Sequence, residues 1–239
     1  DVYKRQLERC RRLDLDVALS SLRIPAMREE VLRPLAESGA RSVTIAPETG
    51  TDELRRRLNK PITNTSILDA AETAFRCGME SLKMYFIIGL PGETDADIRG
   101  IADLVRQVRE LMIAHGRERG RVGTVHAGFN VLVPKPYTPY ARAAMLTRKE
   151  MRRRIRLVED GLAKVANLRL DLPAYRESMW QAYLSRGDCT AFDALETAAS
   201  ASSFGELMTT HRTEIEQSAL NAVEGDPVWQ FMTSAPVKR

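Results

Sequence analysis

Short apolar runs rich in β-branched residues alternate along this chain with longer stretches whose apolar positions fall three and four apart. The first unit pairs a strand near Val17-Ala18-Leu19-Ser20 with a helical pattern carrying Val31, Leu32 and Leu35, with the loop Arg23-Ile24-Pro25 between them and Gly39 as the stop. Ser42 to Ala46 then predicts a strand that ends at Pro47-Glu48-Thr49-Gly50. A short helix over Asp52 to Leu58 is broken by Asn59-Lys60-Pro61, and a second helix runs from about Thr65 to Cys77, with Thr63 as N-cap and Gly78 as stop. Leu82 to Ile88 predicts the next strand, closed by Gly89-Leu90-Pro91-Gly92-Glu93 and followed by a helix carrying Ile98, Ile101, Leu104, Val105, Val108, Leu111 and Met112. His115 to Gly123 reads as a loop, and Thr124 to Val133 as a fourth strand ended by Pro134-Lys135-Pro136-Tyr137-Thr138-Pro139. Repeated strand–helix units imply parallel strands joined by right-handed crossovers, with the loops after the strands on one edge of the sheet, where such folds bind ligands.

After residue 146 the pattern changes. Thr147-Arg148-Lys149-Glu150 is a capping box that opens a helix through about Ala166, with Ile155, Val158, Leu162 and Val165 facing inward. Leu168 to Leu172 fits a short strand, Tyr175 to Arg186 a helix, and Thr190 to His211 further helix with an Ala/Ser-rich middle. Tyr175, Trp180, Tyr183 and Phe192 are spaced to share one packed face, and Trp229-Gln230-Phe231 reads as the docking end of a terminal helix. The expected organisation is an N-terminal remnant over 1–14, a strand–helix domain over 15–140 and a helical subdomain over 147–239. Residues 1–6, DVYKRQ, resemble an end artefact of assembled reads and are set aside.

The 239 residues, 44% apolar, suffice for one large domain or one domain with a helical appendage. The longest apolar stretch, Met84 to Leu90, is far short of the roughly 20 residues needed to cross a bilayer. The start has neither an initiating Met nor a charged-then-apolar leader pattern, so a secretory leader is expected to be either absent or cut away with upstream sequence. Cys10, Cys77 and Cys189 are odd in number and widely separated, which argues for a reducing, cytoplasmic setting and against a disulfide framework. His115, His126 and His211 are equally isolated, so the sequence holds no local metal motif. A net charge of +4 is small for this length. The basic stretches Arg148 to Arg156 and His115 to Arg121 read as solvated faces rather than RNA contacts, because Glu is interspersed and no aromatic platform accompanies them.

The loops after the four strands carry hydroxyls, a guanidinium, a carboxylate and glycines, a set that suits a polar ligand with a flat heterocycle, such as a nucleoside. Glu48 serves either such a ligand or the N-terminus of the helix after its strand. Arg23 serves the ligand or a neighbouring carboxylate. GLPGE lacks both the Gly-Lys-Ser/Thr ending of a P-loop and the glycine spacing of a dinucleotide fingerprint, and Glu93 reads as a helix cap.

The ordered set SSLR, TIAPETGT, MYFIIGLPGET and NVLVPKPYTPY resembles the second half of the radical S-adenosylmethionine (radical SAM) barrel, in the branch of methylthiotransferases and cobalamin-domain enzymes. The resemblance implies an α/β fold: an incomplete parallel (β/α)6 barrel, its last four strands over 15–140, with a C-terminal helical extension. It implies S-adenosylmethionine as cofactor, cleaved reductively at a [4Fe-4S] cluster to a deoxyadenosyl radical, with methyl or methylthio transfer among the reactions of the branch. By resemblance, Ser21, Arg23 and Glu48 face the ribose or methionine part, while Ile88, Gly89, Leu132 and Val133 form the adenine wall. Lys135 and Tyr137 either reach substrate or form a rigid exit from the last strand.

No Cys-x-x-x-Cys-x-x-Cys motif occurs in the sequence, so the resemblance implies a piece of a longer parent that alone holds the cluster. The parent would act on a small molecule or RNA, take electrons from a flavodoxin or ferredoxin, and have room for a cobalamin. The piece alone is expected to be inactive, and poorly soluble or dimeric through its exposed sheet edge. Two other readings use the same residues: a cluster-free nucleotide-binding or scaffolding module, and a (β/α)8 fragment with Glu48 and Lys135 as acid and base.

Overall fold

A computed structural model describes residues 21–187 and 191–223, together with 5–6, 9–10, 12–13 and 15. The strand expected at Val17–Ser20, Cys189 and the Trp229 segment lie outside the described residues. The chain forms two compact units. Of the described residues, the first comprises those up to 88, 93–130 and 153–172; the second comprises 89–92, 131–152 and those from 173 to 223.

The first unit is built on a parallel sheet in the order β1 (Ser42–Glu48), β2 (Ser81–Ile88), β3 (Val125–Val131), β4 (Leu168–Asp171). Helix α1 (Glu29–Glu37) precedes β1, helices α2 (Asp52–Arg57) and α3 (Asn64–Arg76) connect β1 to β2, and α4 (Asp95–Glu118) connects β2 to β3. Ahead of α1, the Leu22 N–H donates to the Thr44 carbonyl at 2.9 Å, which lays residues 21–23 alongside β1. A 3₁₀ turn over Ile24–Ala26 follows.

Alternation on the strands gives the sheet two different faces. Val43 and Ile45, then Leu82, Met84, Phe86 and Ile88, then Val125, Ala127 and Phe129 are buried. The apolar stripes of α3 (Ile67, Ala71, Ala74, Phe75) and α4 (Ile98, Ile101, Leu104, Val105, Val108) are also buried, and these two helices pack on each other. Phe86 and Phe129 stack across neighbouring strands with centroids 5.6 Å apart. The opposite face carries Thr44, Lys83, Tyr85, His126, Asn130, Arg169 and Asp171, all half-buried or exposed.

The helix ends follow their caps. Thr63 and Ser66 form a capping box on α3, and Thr94 and Asp97 form one on α4. The α4 helix runs on to Glu118, through the start of the segment expected to be a loop, because Val108, Met112 and Gly116 continue its buried stripe. Arg119 then donates to the Met79 carbonyl at 3.1 Å and to that of Phe75.

Helix α5 (Arg148–Gly161) starts at the expected Thr147 cap, whose hydroxyl accepts from the Glu150 N–H at 3.3 Å. The sequence pattern hands over to a helical subdomain at 147, yet the sheet takes its fourth strand from beyond that point. Val125 pairs with Leu168 and Gly128 with Asp171, so Leu168–Asp171 extends the sheet beyond β3.

In the second unit, α6 (Tyr175–Arg186), α7 (Ala191–Ser200), α8 (Phe204–Thr210) and α9 (Arg212–Leu220) form a helical cluster in which α6 packs on α9. The buried Arg186 guanidinium joins it to the segment after β3. It donates to the carbonyls of Ala141 (3.0 Å), Ala143 (2.5 Å), Ser218 (2.6 Å) and Asn221 (3.1 Å). Trp180 and Tyr183 stack at 5.5 Å, but Phe192, expected on the same packed face, is 59% exposed. The described residues include no helix long and apolar enough to cross a membrane.

Candidate functional site

The end of β1 is shaped by its own sequence. Pro47 has no N–H to give to a ladder, and the β1–β2 register becomes irregular between Ile45 and Glu48. Glu48 absorbs the irregularity with a left-handed backbone, φ 68°. Such bulges re-aim the side chain that follows the strand.

Beneath this loop lies a buried arginine that sequence reasoning missed. Arg55 on α2 donates from Nε to the Pro47 carbonyl (3.0 Å) and from Nη2 to the Thr49 carbonyl (2.7 Å) and Asn64 Oδ1 (2.7 Å). Its Nη1 meets Asp52 at 2.7 Å. Burial pulls its pKa down from the ordinary arginine range, but the network of acceptors keeps it a cation. Asn64 completes the frame by donating to the Gly50 carbonyl at 3.1 Å. The signal was one Arg in a run of three, indistinguishable by type from its solvated neighbours Arg56 and Arg57.

Above the loop, Lys60 Nζ donates at 2.6 Å both to the Ala46 carbonyl and to Glu48 Oε1. Glu48 does not cap the following helix; the Thr51 hydroxyl does, accepting from the Leu54 N–H. Lys60 also lines a cavity of about 560 Å³ together with Ser21, Arg23, Asn59, Ile24 and Ile62. Arg23 makes no ion pair with a carboxylate among the described residues, so its guanidinium faces this cavity without one.

The structure thus brings together three of the expected residues: Ser21 and Arg23 on the cavity wall, and Glu48 through its ion pair with Lys60. Ile88 is fully buried on the helix-covered face of β2, while Ile87 shares the open face with Lys83 and Tyr85. Gly89, Leu132 and Val133 belong to the second unit. There Gly89 has φ 95°, and a Cβ on it would sit 2.8 Å from Leu146 Cγ; Leu132 is buried and Val133 half-buried. Lys135 and Tyr137 are exposed in that unit.

The open face of the sheet adds residues that were not expected to matter. A smaller cavity of about 210 Å³ is lined by Lys83, Tyr85, His126, Gly128, Arg169 and Asp171. A Cβ on Gly128 would lie 2.7 Å from Tyr85 Cε1, so the glycine leaves room for the ring against the β3 backbone. The alternation of Lys83 and Tyr85 with Leu82, Met84 and Phe86 was the available signal.

Two motifs turn out to be one piece of structure. The Thr51 hydroxyl donates to one oxygen of Asp97, and the Thr94 hydroxyl and N–H donate to the other at 2.7 and 2.8 Å. A Cβ on Gly50 would lie 2.1 Å from the Ile101 nitrogen, so only glycine lets this loop sit against the start of α4. Burial acts to raise the Asp97 pKa, but the hydrogen bonds from Thr51 and Thr94 outweigh it and hold the carboxyl below its usual range. Glu93 is structural, as expected, but not as a cap: its side chain is fully buried in an ion pair with Arg154.

The residues present do not fit an iron–sulfur cluster. Among the described residues no group of His, Cys, Asp or Glu is placed to hold a metal ion. Cys77 is buried, and burial pushes its thiol pKa up; Cys10 is half-buried. The donor set around Lys60 does fit a polar nucleoside-like ligand: cations for a carboxylate, Ser21 and Asn59 for hydroxyls, and apolar walls for a ring.

Over 190 residues the chain is 30% identical to an uncharacterized protein of Methanocaldococcus jannaschii, an alignment that covers 78% of this chain and 39% of that protein. The chain therefore spans well under half the length of this relative. Residues 2–105, which carry β1, β2 and the whole lining of the Lys60 cavity, match the radical SAM superfamily.

Proposed function

We propose that this chain is part of a radical SAM enzyme and that the Lys60 cavity holds part of S-adenosylmethionine. The carrying observation is the convergence of Ser21, Arg23 and the Lys60–Glu48 pair at one end of β1, within the segment that matches the superfamily. S-adenosylmethionine held here would bring the parent the source of its radical chemistry. No Cys-x-x-x-Cys-x-x-Cys run occurs in this sequence, so on this reading the cluster loop belongs to another part of a longer parent polypeptide. The chain's own residues bind and orient. Lys60 and Arg23 offer charge to a carboxylate, and Lys60 fixes Glu48 so that its second oxygen can accept from a hydroxyl. Ile24 and Ile62 exclude water from one side of the cavity.

The ordered motifs support the branch of methylthiotransferases and cobalamin-domain enzymes, a cytoplasmic setting and a flavodoxin- or ferredoxin-type reductant for the parent. The open sheet face with Lys83, Tyr85, His126 and Arg169 suits the parent's substrate.

Calorimetric titration of the chain with S-adenosylhomocysteine tests the reading. Binding that weakens about tenfold in Lys60→Met and in Arg23→Gln is the expected result, a loss of about 1.4 kcal/mol each. No binding to the unsubstituted chain, or binding indifferent to both substitutions, overturns it.

A further inference from the structure

The second unit contains a larger cavity, of about 580 Å³, that plays no part in the site above. It lies among α6, α8, α9 and the start of α5. Arg148, Arg176 and Arg212 stand on its wall with a single carboxylate, Glu216. Arg212 Nε already donates to Glu216 Oε1 at 2.9 Å. Arg148 and Arg176 have no acidic partner among the described residues. Three guanidiniums against one carboxylate leave an excess of positive charge in a concave space, the arrangement that concentrates anions.

The rest of the lining is of a different kind. Met179, Met208 and Ile215 are buried and form an apolar part of the wall. Tyr175 is held in place by its hydroxyl, which donates to the Leu146 carbonyl at 2.9 Å, and burial pushes its pKa up, so the phenol stays neutral. A bare anion would leave the apolar wall unused, and an apolar ligand would leave two guanidiniums unmatched. The planar forks of Arg148 and Arg176 match phosphate oxygens, and methionines adapt to a ring or an alkyl body. The volume falls in the range of small-molecule pockets, about 300–1,000 Å³.

We propose that this cavity binds a small organic phosphate, its phosphoryl group held by Arg148 and Arg176 and its apolar body resting on Met179, Met208 and Ile215. The site is separate in sequence from the segment that matches the superfamily, and it stands or falls independently of the function proposed above.

The test uses phenyl phosphate as probe, with inorganic phosphate and a short oligouridylate as comparisons, followed by methionine-methyl NMR and calorimetry on the whole chain. Phenyl phosphate is expected to shift the Met179 and Met208 methyl signals and to bind at least about tenfold more tightly than inorganic phosphate. Arg148→Gln and Arg176→Gln, both at exposed positions, are each expected to weaken it about tenfold, a loss of about 1.4 kcal/mol. Met208→Ala is expected to weaken phenyl phosphate while leaving inorganic phosphate unchanged. Arg33→Gln, an exposed position on α1, serves as the charge control and is expected to change nothing. Equal affinity for inorganic and phenyl phosphate overturns the proposal, as does binding indifferent to Arg148 and Arg176. Oligouridylate binding that depends on the same arginines, without phenyl phosphate binding, also overturns it and makes the site a nucleic-acid contact.

Discussion

Arg55 and Arg186 show how much a single charged side chain can organise when backbone carbonyls converge on it. Each guanidinium is buried, and each satisfies carbonyls at the ends of loops that have no regular ladder of their own. Replacing Arg55 with Met would strand the buried Pro47 and Thr49 carbonyls. The expected cost is about 3 kcal/mol in denaturant-induced unfolding, with weaker ligand binding at Lys60 because Glu48 loses its frame. Arg186→Met is expected to expose the amides of 141–145 and 218–223 to faster hydrogen exchange, since the carbonyls it ties belong to those segments. Asp97 makes a prediction about pH. Its pKa lies below that of an unfolded aspartate, so the stabilisation it gives is fully present above about pH 4 and is lost as pH falls through the folded value. Asp97→Asn should therefore be less stable at neutral pH and show a flatter acid limb when unfolding midpoints are measured against pH.

The elements differ in how plainly the sequence announced them. β1, β2, α3 and α4 follow directly from strong alternation or from a capped 3.6-residue stripe, and their ends agree with the pattern to within a few residues. β4 was harder to place, because Leu-Arg-Leu-Asp is four residues long and alternates half-buried with exposed positions; each residue pairs with one on β3 that lies 43 positions earlier, as Leu168 does with Val125. The site was legible in part. Ser21, Arg23 and Glu48 could be singled out because hydroxyl, guanidinium and carboxylate stood after strands. Lys60 and Arg55 could not, since a helix-breaking Asn-Lys-Pro and an arginine run carry no sign of what they will touch in three dimensions. Gly50 belongs to the same class: its need for glycine comes from α4, not from its own turn. Gly50→Ala forces a methyl group against the α4 backbone and is expected to destabilise the first unit by several times the cost of an ordinary surface substitution, about 3 kcal/mol or more. Gly128→Ala is milder, displacing the Tyr85 ring; the expected readout is altered Tyr85 NMR signals with a nearly unchanged midpoint.

On the scale of the whole chain, charge is spent on fixing structure as much as on solubility. Arg153 holds Asp95 at 2.7 Å, Arg154 holds Glu93 and Arg121 reaches Glu80 at 3.2 Å, so much of what reads as a basic surface in the sequence is internally matched. The described sheet ends at β4, whose short length and exposed Arg169–Asp171 pair make it a poor template for another strand. Replacing both with Val removes that protection. The double variant Arg169→Val, Asp171→Val is expected to self-associate more strongly than the unsubstituted chain, as read by the concentration dependence of its sedimentation coefficient.

The clamp between Gly50–Thr51 and the start of α4 also sets an order of events in time. A ribosome delivers Pro47, Glu48 and Thr49 early, together with Arg55 and Asn64, and these can meet soon afterwards. The loop cannot close in its final form until Thr94, Asp97 and Ile101 have emerged, about fifty residues later, because those groups supply the surface on which Gly50 rests. The loop that follows Glu48 is thus made about fifty residues before the surface on which Gly50 comes to rest. A nascent chain stalled before α4 should hold β1 without the Gly50–Thr51 loop in its final place.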